Sequence, residues 1–204
     1  MKRRDFVKCS LALAGAVAIF NTGCAKESAA GKEIKEGAEK MDNKCMVVYF
    51  SWSGNTRFAA ETIAKKADAA IFEIKAEKPY SSDFNGCCDE AQPECRGNTL
   101  RPIEPIDGLD VSGYETVFVG SPNWWGTIAP PVRTWLVQNA AALKGKTVCL
   151  FQTHGGGGMQ NLGRDFAELL PESKVLPPKA FSGSSIRSNV KALEEFAADR
   201  TSAR

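Results

Sequence analysis

The chain has 204 residues, 43% of them hydrophobic and 25% charged, enough for one ordinary domain and a leader. Its 26 lysines and arginines stand against 24 acids, a formal net charge of +2. So even a balance excludes a basic nucleic-acid groove and a strongly acidic docking face as organising features.

Lys2, Arg3, Arg4 and Lys8 precede an apolar run from Leu11 to Phe20, followed by Asn21-Thr22-Gly23-Cys24. The run is short for a bilayer span, and a basic start with a small-residue site at its end predicts an export signal over residues 1–24. Arg3-Arg4-Asp5-Phe6-Val7-Lys8 resembles a twin-arginine signal, a pathway for proteins already folded around a cofactor. Thr22-Gly23-Cys24 resembles the end of a bacterial lipobox, which implies Cys24 as the lipidated first residue of the mature chain. The expected location is exported, on the periplasmic side or elsewhere in the cell envelope, with membrane contact through lipid on Cys24. Loss of residues 1–23 removes four basic residues and one acid, leaving 22 against 23.

Residues 25–43 are charged, Ala-rich and poor in large apolar groups, and read as a tether. The domain is expected over 44–198, with a tail at 199–204. Within it, strands are predicted at 45–50, 70–75, 115–120, 147–151 and 174–176, mostly as continuous apolar runs that suit strands buried on both faces. A helix follows the first strand from Asn55 to Lys66. Val132, Trp135, Leu136 and Leu143 recur at helical spacing, as do Leu162, Phe166, Leu169 and Leu170. Ile186, Val190, Leu193 and Ala197 mark the last helix. Alternation of this kind predicts a doubly wound α/β domain with a parallel sheet.

One segment breaks the rhythm. Between the second strand and Glu115 lie Tyr80, Cys87, Cys88, Cys95, Pro93, Pro102 and Pro105, with a helix expected only around Cys88 to Gly97. An elaborated crossover is the expectation. In an exported protein the three cysteines predict a disulfide from Cys95 to Cys87 or Cys88, while zinc lacks a fourth ligand nearby. Cys45 and Cys149 sit on apolar strands and read as small core residues.

Three strand ends carry unusual loops, and in a parallel sheet all three open on one rim. The first is Ser51-Trp52-Ser53-Gly54-Asn55-Thr56, hydroxyl-rich and directly ahead of a helix N-terminus, where unpaired N–H groups and the positive dipole end suit a phosphate. After the third strand come Gly120-Ser121-Pro122-Asn123-Trp124-Trp125-Gly126-Thr127, whose paired indoles suit a flat aromatic ligand. After the fourth come Thr153-His154-Gly155-Gly156-Gly157-Gly158, bare backbone able to edge a polar heterocycle. Competing motifs fail. Gly145-Lys146-Thr147 has Ala140 where a phosphate-binding loop needs glycine, the glycine run misses the dinucleotide spacing, and no G-x-S-x-G elbow occurs.

In order and content these loops resemble the flavodoxin-like family, in the branch carrying S-x-S-G-N-T, then P-x-W-W-G-T-x-x-P-P-V-R, then T-H-G-G. The likeness spans essentially all of 44–198. It implies a five-stranded parallel sheet of order 2-1-3-4-5 with helices on both faces, and bound flavin mononucleotide (FMN). By matching motif, Ser51, Ser53, Gly54, Asn55 and Thr56 would hold the phosphate, Trp124 or Trp125 would stack on the ring, and Thr153 to Gly158 would edge its pyrimidine side. Trp52, Pro122, Asn123, Gly126 and Thr127 complete the expected set, with the Gly126 peptide free to reorient toward the ring. His154, the single histidine, is expected to order its loop or bond the ring. The third loop lacks the second covering aromatic of electron-carrier flavodoxins. Electron transfer to a redox partner at the envelope is the function implied. The alternatives are an FMN-dependent NAD(P)H reductase of quinones or other small acceptors, and a flavin-free binding module.

Overall fold

The computed structural model describes residues 44–202. The expected export signal with Cys24 and the tether over 25–43 lie outside them. Six strands form one sheet: β1 (Cys45–Tyr49), β2 (Ala70–Glu73), β3 (Thr116–Trp124), β4 (Thr127–Ile128), β5 (Thr147–His154) and β6 (Lys174–Ser182). Five of them run parallel in the order β2-β1-β3-β5-β6, and β4 is a short antiparallel attachment to β3. Leaving β4 aside, this is the order 2-1-3-4-5 that the sequence implied, with one strand added. Among the described residues the α-helices are α1 (Asn55–Ala67), α2 (Phe84–Arg96), α3 (Pro130–Leu143), α4 (Leu162–Leu169) and α5 (Val190–Ser202). Helix α5 continues to Ser202, so most of the expected tail is helical.

Period-2 alternation on β1 sorts its side chains between two cores. Met46, Val48 and Phe50 pack with residues of α2, α3 and α4, among them Ala91, Trp135 and Phe166. Cys45, Val47 and Tyr49 pack with α1 and α5 through Ala60, Ile63, Leu193 and Phe196. Both faces of the central strands are therefore sealed, which is why their sequences read as unbroken apolar runs. Helix starts follow local rules: Pro130 at the first position of α3, and Asp83 capping α2 by accepting from the Gly86 N–H at 2.9 Å.

Three expectations need correction. β3 and β5 run on through Trp124 and His154, so Pro122, Asn123, Trp124, Thr153 and His154 are strand residues and not loop. Pairing of Pro122 with Thr153 carries both strands past the end of β1. β6 continues beyond Pro177 and Pro178 to Ser182 because it is an edge strand, where a missing N–H can face outward. The disulfide is excluded by helix geometry: Cys87, Cys88 and Cys95 all lie on α2 and are free thiols. Seven or eight residues of α-helix separate them by about 10–12 Å, well beyond disulfide reach.

Candidate functional site

The carboxyl ends of β1, β3, β5 and β6 meet around a cavity of about 550 Å³. Ten of the expected residues line it: Trp52, Ser53, Asn55, Pro122, Asn123, Trp124, Trp125, Thr153, His154 and Gly155. Five more were not foreseen: Phe84, Cys87 and Cys88 from α2, and Gly183 and Ser184 after β6. The walls are mainly apolar and aromatic, with polar groups at one end, the usual make-up of a small-molecule site.

The polar end is the turn into α1. Gly54 sits at φ +86°, a left-handed conformation that glycine adopts without strain, and open space surrounds the position of an added Cβ. The Ser51 hydroxyl accepts from the Gly54 N–H at 3.1 Å and shapes the turn. No side chain caps α1 and its first turn holds no carboxylate, so among the described residues the leading N–H groups of the helix have no protein acceptor. Thr56 is buried and shares a 2.8 Å hydroxyl bond with Thr153, tying the first strand end to that of β5. Ser51, Gly54 and Thr56 thus build the turn and do not line the cavity.

The apolar end is built on β3. Trp124 is half-buried and meets Phe50 edge-on with ring centroids 5.5 Å apart, and Tyr80 at 4.9 Å. Tyr80 is fixed in turn: its hydroxyl donates to Glu94 at 2.5 Å, and the buried Arg101 guanidinium lies 3.7 Å over its ring. Arg101 also pairs with Glu90 and Glu94 of α2. Burial and the Glu94 carboxylate push the Tyr80 phenol far above its ordinary range, so it stays protonated. From the first loop, Trp52 donates its indole N–H to the Ser81 carbonyl at 2.9 Å and lies 6.3 Å from Phe84, which is 67% exposed. Trp52 from the first loop and Phe84 from α2 therefore add an aromatic rim to the cavity.

Trp125 and Gly126 form the tip of a two-residue hairpin between β3 and β4, with φ +49° and +81°. Positive φ at both positions is the type I′ turn, which favours Asn and Gly, so Trp125 occupies a strained place. Asn123 braces the tip: its Oδ1 accepts from the Gly126 N–H at 2.9 Å, and its Nδ2 donates to the Gly158 carbonyl at 2.7 Å. The Gly126 carbonyl accepts from the Asn161 N–H at 3.1 Å. Both sides of Gly126 are thus already engaged, and reorienting its peptide would cost the Asn123 bond. Gly126 and Gly157 border a neighbouring cleft with Gln160. Thr127 leaves the site, its hydroxyl accepting from Arg133 and donating to Asp165.

The glycine segment is tied down at both ends. Gly158 receives Gln152 Nε2 at 2.5 Å as well as Asn123, and the Gly156 N–H donates to His154 Nδ1 at 3.0 Å, leaving Gly156 at φ +132°. With Nδ1 occupied as an acceptor, the neutral imidazole carries its proton on Nε2. Ordering the loop is the role this geometry supports for His154. On α2, burial raises the Cys87 thiol to about 11 and the Cys95 thiol to about 12, so neither is a thiolate near neutrality. Among the described residues no group of three or more potential ligands could hold a metal ion.

Fold and site together define a doubly wound α/β protein with a ligand cavity at the strand ends where the order reverses. The chain belongs to the Flavodoxin family, which it matches over residues 44–196. Among solved structures it is similar to a flavoprotein from Lactobacillus acidophilus NCFM in complex with FMN, at 28% identity and a TM-score of 0.60, over 72% of this chain and 97% of that one. The apo form of the flavoprotein from the same organism gives 25% identity and a TM-score of 0.54, over 74% and 97%. Two-electron reduced Megasphaera elsdenii flavodoxin, at 17% identity and a TM-score of 0.52 over 78% and 99%, shares the fold. No curated protein matches the chain.

Proposed function

We propose that this protein binds FMN in the strand-end cavity and transfers electrons at the cell envelope. The observation that carries the reading is the pairing of two features at one rim. One is an uncapped, carboxylate-free helix start beyond a left-handed Gly54, and the other is an aromatic-walled cavity of about 550 Å³. The first suits a phosphate dianion and the second a planar ring. The L. acidophilus relative solved with FMN adds support. Flavin, when bound, supplies one- and two-electron redox chemistry.

The chain's own residues do the rest. The α1 N–H groups with Ser53 and Asn55 hold the phosphate, while Trp124 presents a wall fixed by Phe50 and Tyr80. Trp52 and Phe84 limit water on the α2 side, and the glycine segment offers backbone groups at a stated place because His154, Gln152 and Asn123 pin it. The envelope assignment draws on the basic, apolar and Cys24 features of residues 1–24. No helix among the described residues is long and apolar enough to cross a membrane. The partner is a redox protein or a small acceptor such as a quinone.

Purified full-length protein tests the reading. It should be yellow or take up FMN with quenching of flavin fluorescence. Consumption of NAD(P)H by the loaded protein alone would favour the reductase reading, and reduction only by an added partner would favour the carrier. A colourless protein that takes up no flavin would leave the binding module.

A further inference from the structure

We propose that the cleft on the outer side of Trp125 binds an anionic group, a carboxylate or a phosphate, of the small molecule that exchanges electrons with the flavin. The proposal rests on the FMN reading for its redox role, though the anion site stands on its own geometry.

This cleft, of about 290 Å³, shares only Trp125 with the main cavity. Arg96 reaches it from the last turn of α2, Arg133 from the first turn of α3 and Arg164 from α4. Arg133 is only 8% exposed, yet among the described residues no carboxylate touches its guanidinium. Its Nη2 donates to Thr127 at 2.8 Å, and Thr127 passes a 2.6 Å bond to Asp165. Of five guanidinium donors, that is the single one engaged by the described residues. Asp165 and Glu168 are taken by Arg164, at 3.2 and 3.7 Å, and Arg96 has no acidic partner among the described residues. Three cations against two anions leave one positive charge in excess, part of it on a nearly buried group.

A buried guanidinium without a direct anionic partner is costly, and an incoming carboxylate or phosphate would remove that cost through forked, charge-assisted bonds. Trp125 gives the connection. It is 42% exposed and held at φ +49° in a turn that favours Asn or Gly, and strain kept in this way points to use. A molecule laid across Trp125 would bring one end to the mouth of the cavity and place a charged end among the arginines. The cleft is too small and concave for a protein surface, so the proposal commits to a small molecule. Phosphates of a nicotinamide nucleotide and the carboxylate of an acceptor share this chemistry.

The test uses full-length protein saturated with FMN, so that the α1 turn does not compete for the probe. Pyrophosphate and succinate are titrated separately by calorimetry, while NMR follows the Arg133 and Arg96 Nε–H signals. Saturable binding with shifts of both signals is expected for at least one probe, weakened about tenfold or more in Arg133→Gln and in Arg96→Gln, and unchanged in the control Lys191→Gln. Arg96 is exposed and its replacement disturbs no described bond, so the result does not depend on the fold tolerating the Arg133 variant. Response to pyrophosphate alone identifies a nucleotide-type donor, to succinate alone a carboxylated acceptor, and to both a site open to either. No binding, or equal binding in all variants, overturns the site. Anion binding by a protein that takes up no FMN overturns the redox assignment and fails the functional reading separately.

Discussion

Trp124 and Trp125 are neighbours in sequence and opposites in circumstance. Trp124 ends a strand paired on its flank, has ordinary backbone geometry, and is braced by Phe50 and by a Tyr80 that Arg101 and Glu94 hold in place. Trp125, one residue on, sits exposed at a hairpin tip in a conformation that suits other residues better. The first indole serves folding and the cavity at once. The second contributes to a surface at some cost to folding. A site wall can thus be an extension of the core or a feature held against the local preference of the chain, and one dipeptide here contains both.

The sharpest way to break this contrast is to remove each indole. Trp124→Ala should lower unfolding free energy by about 3 kcal/mol, at the low end for a buried Trp because it is half-exposed, and should weaken FMN binding together with stability. Denaturant unfolding and flavin titration check both. Asn123→Ala removes the brace under the tip and one of two bonds to Gly158, and should cost about 1–2 kcal/mol while loosening the glycine segment, read by amide exchange at Gly155 to Gly158. Trp125→Asn should act in the opposite sense on stability, a gain of about 1 kcal/mol from relief at positive φ, with weaker FMN binding. Equal losses of stability from Trp124→Ala and Trp125→Asn would erase the distinction.

The smallest expected effect is one of pH and falls on the Trp124 side. Cys87 lies in the same core cluster as the Trp124 wall, and Cys95 lies two turns along α2. Burial raises both thiols, from 9.0 in the ordinary state to about 11 and about 12. A raised acid favours its protonated form in the folded state, so this contribution is full below pH 9 and is lost as pH rises toward 11 to 12. Melting temperature should fall over that window, and less so in Cys87→Ala with Cys95→Ala. The same burial predicts that iodoacetamide at pH 8 modifies Cys88 before Cys87, Cys95 or Cys149.

Much of the fold was legible because its signals are local. The β1 run and the Ser51 to Thr56 turn announce a strand, a hydroxyl-rich turn and a helix start within one short stretch. The strand order came from the family resemblance. The end of β6 was hidden by Pro177 and Pro178, which read as a stop although an edge strand tolerates them. Helix α2 was only half seen because Gly86, Pro93 and the paired cysteines blur its apolar period, so Phe84, Cys87 and Cys88 were missed as cavity residues. Asp83 just ahead of Phe84 was the signal that could have found its start. The arginine cleft could not be read at all, since positions 96, 133 and 164 meet only through the packing of three helices.

A paired titration with FMN and riboflavin decides whether one rim holds both a phosphate and a planar ring. The two ligands share the ring and differ in the phosphate. The geometry at Gly54 and the α1 start predicts stoichiometric FMN binding with riboflavin weaker by at least about tenfold, and a Gly54→Val variant in which that preference collapses. Failure to bind either flavin, or equal affinity for both in the unaltered protein, would contradict it.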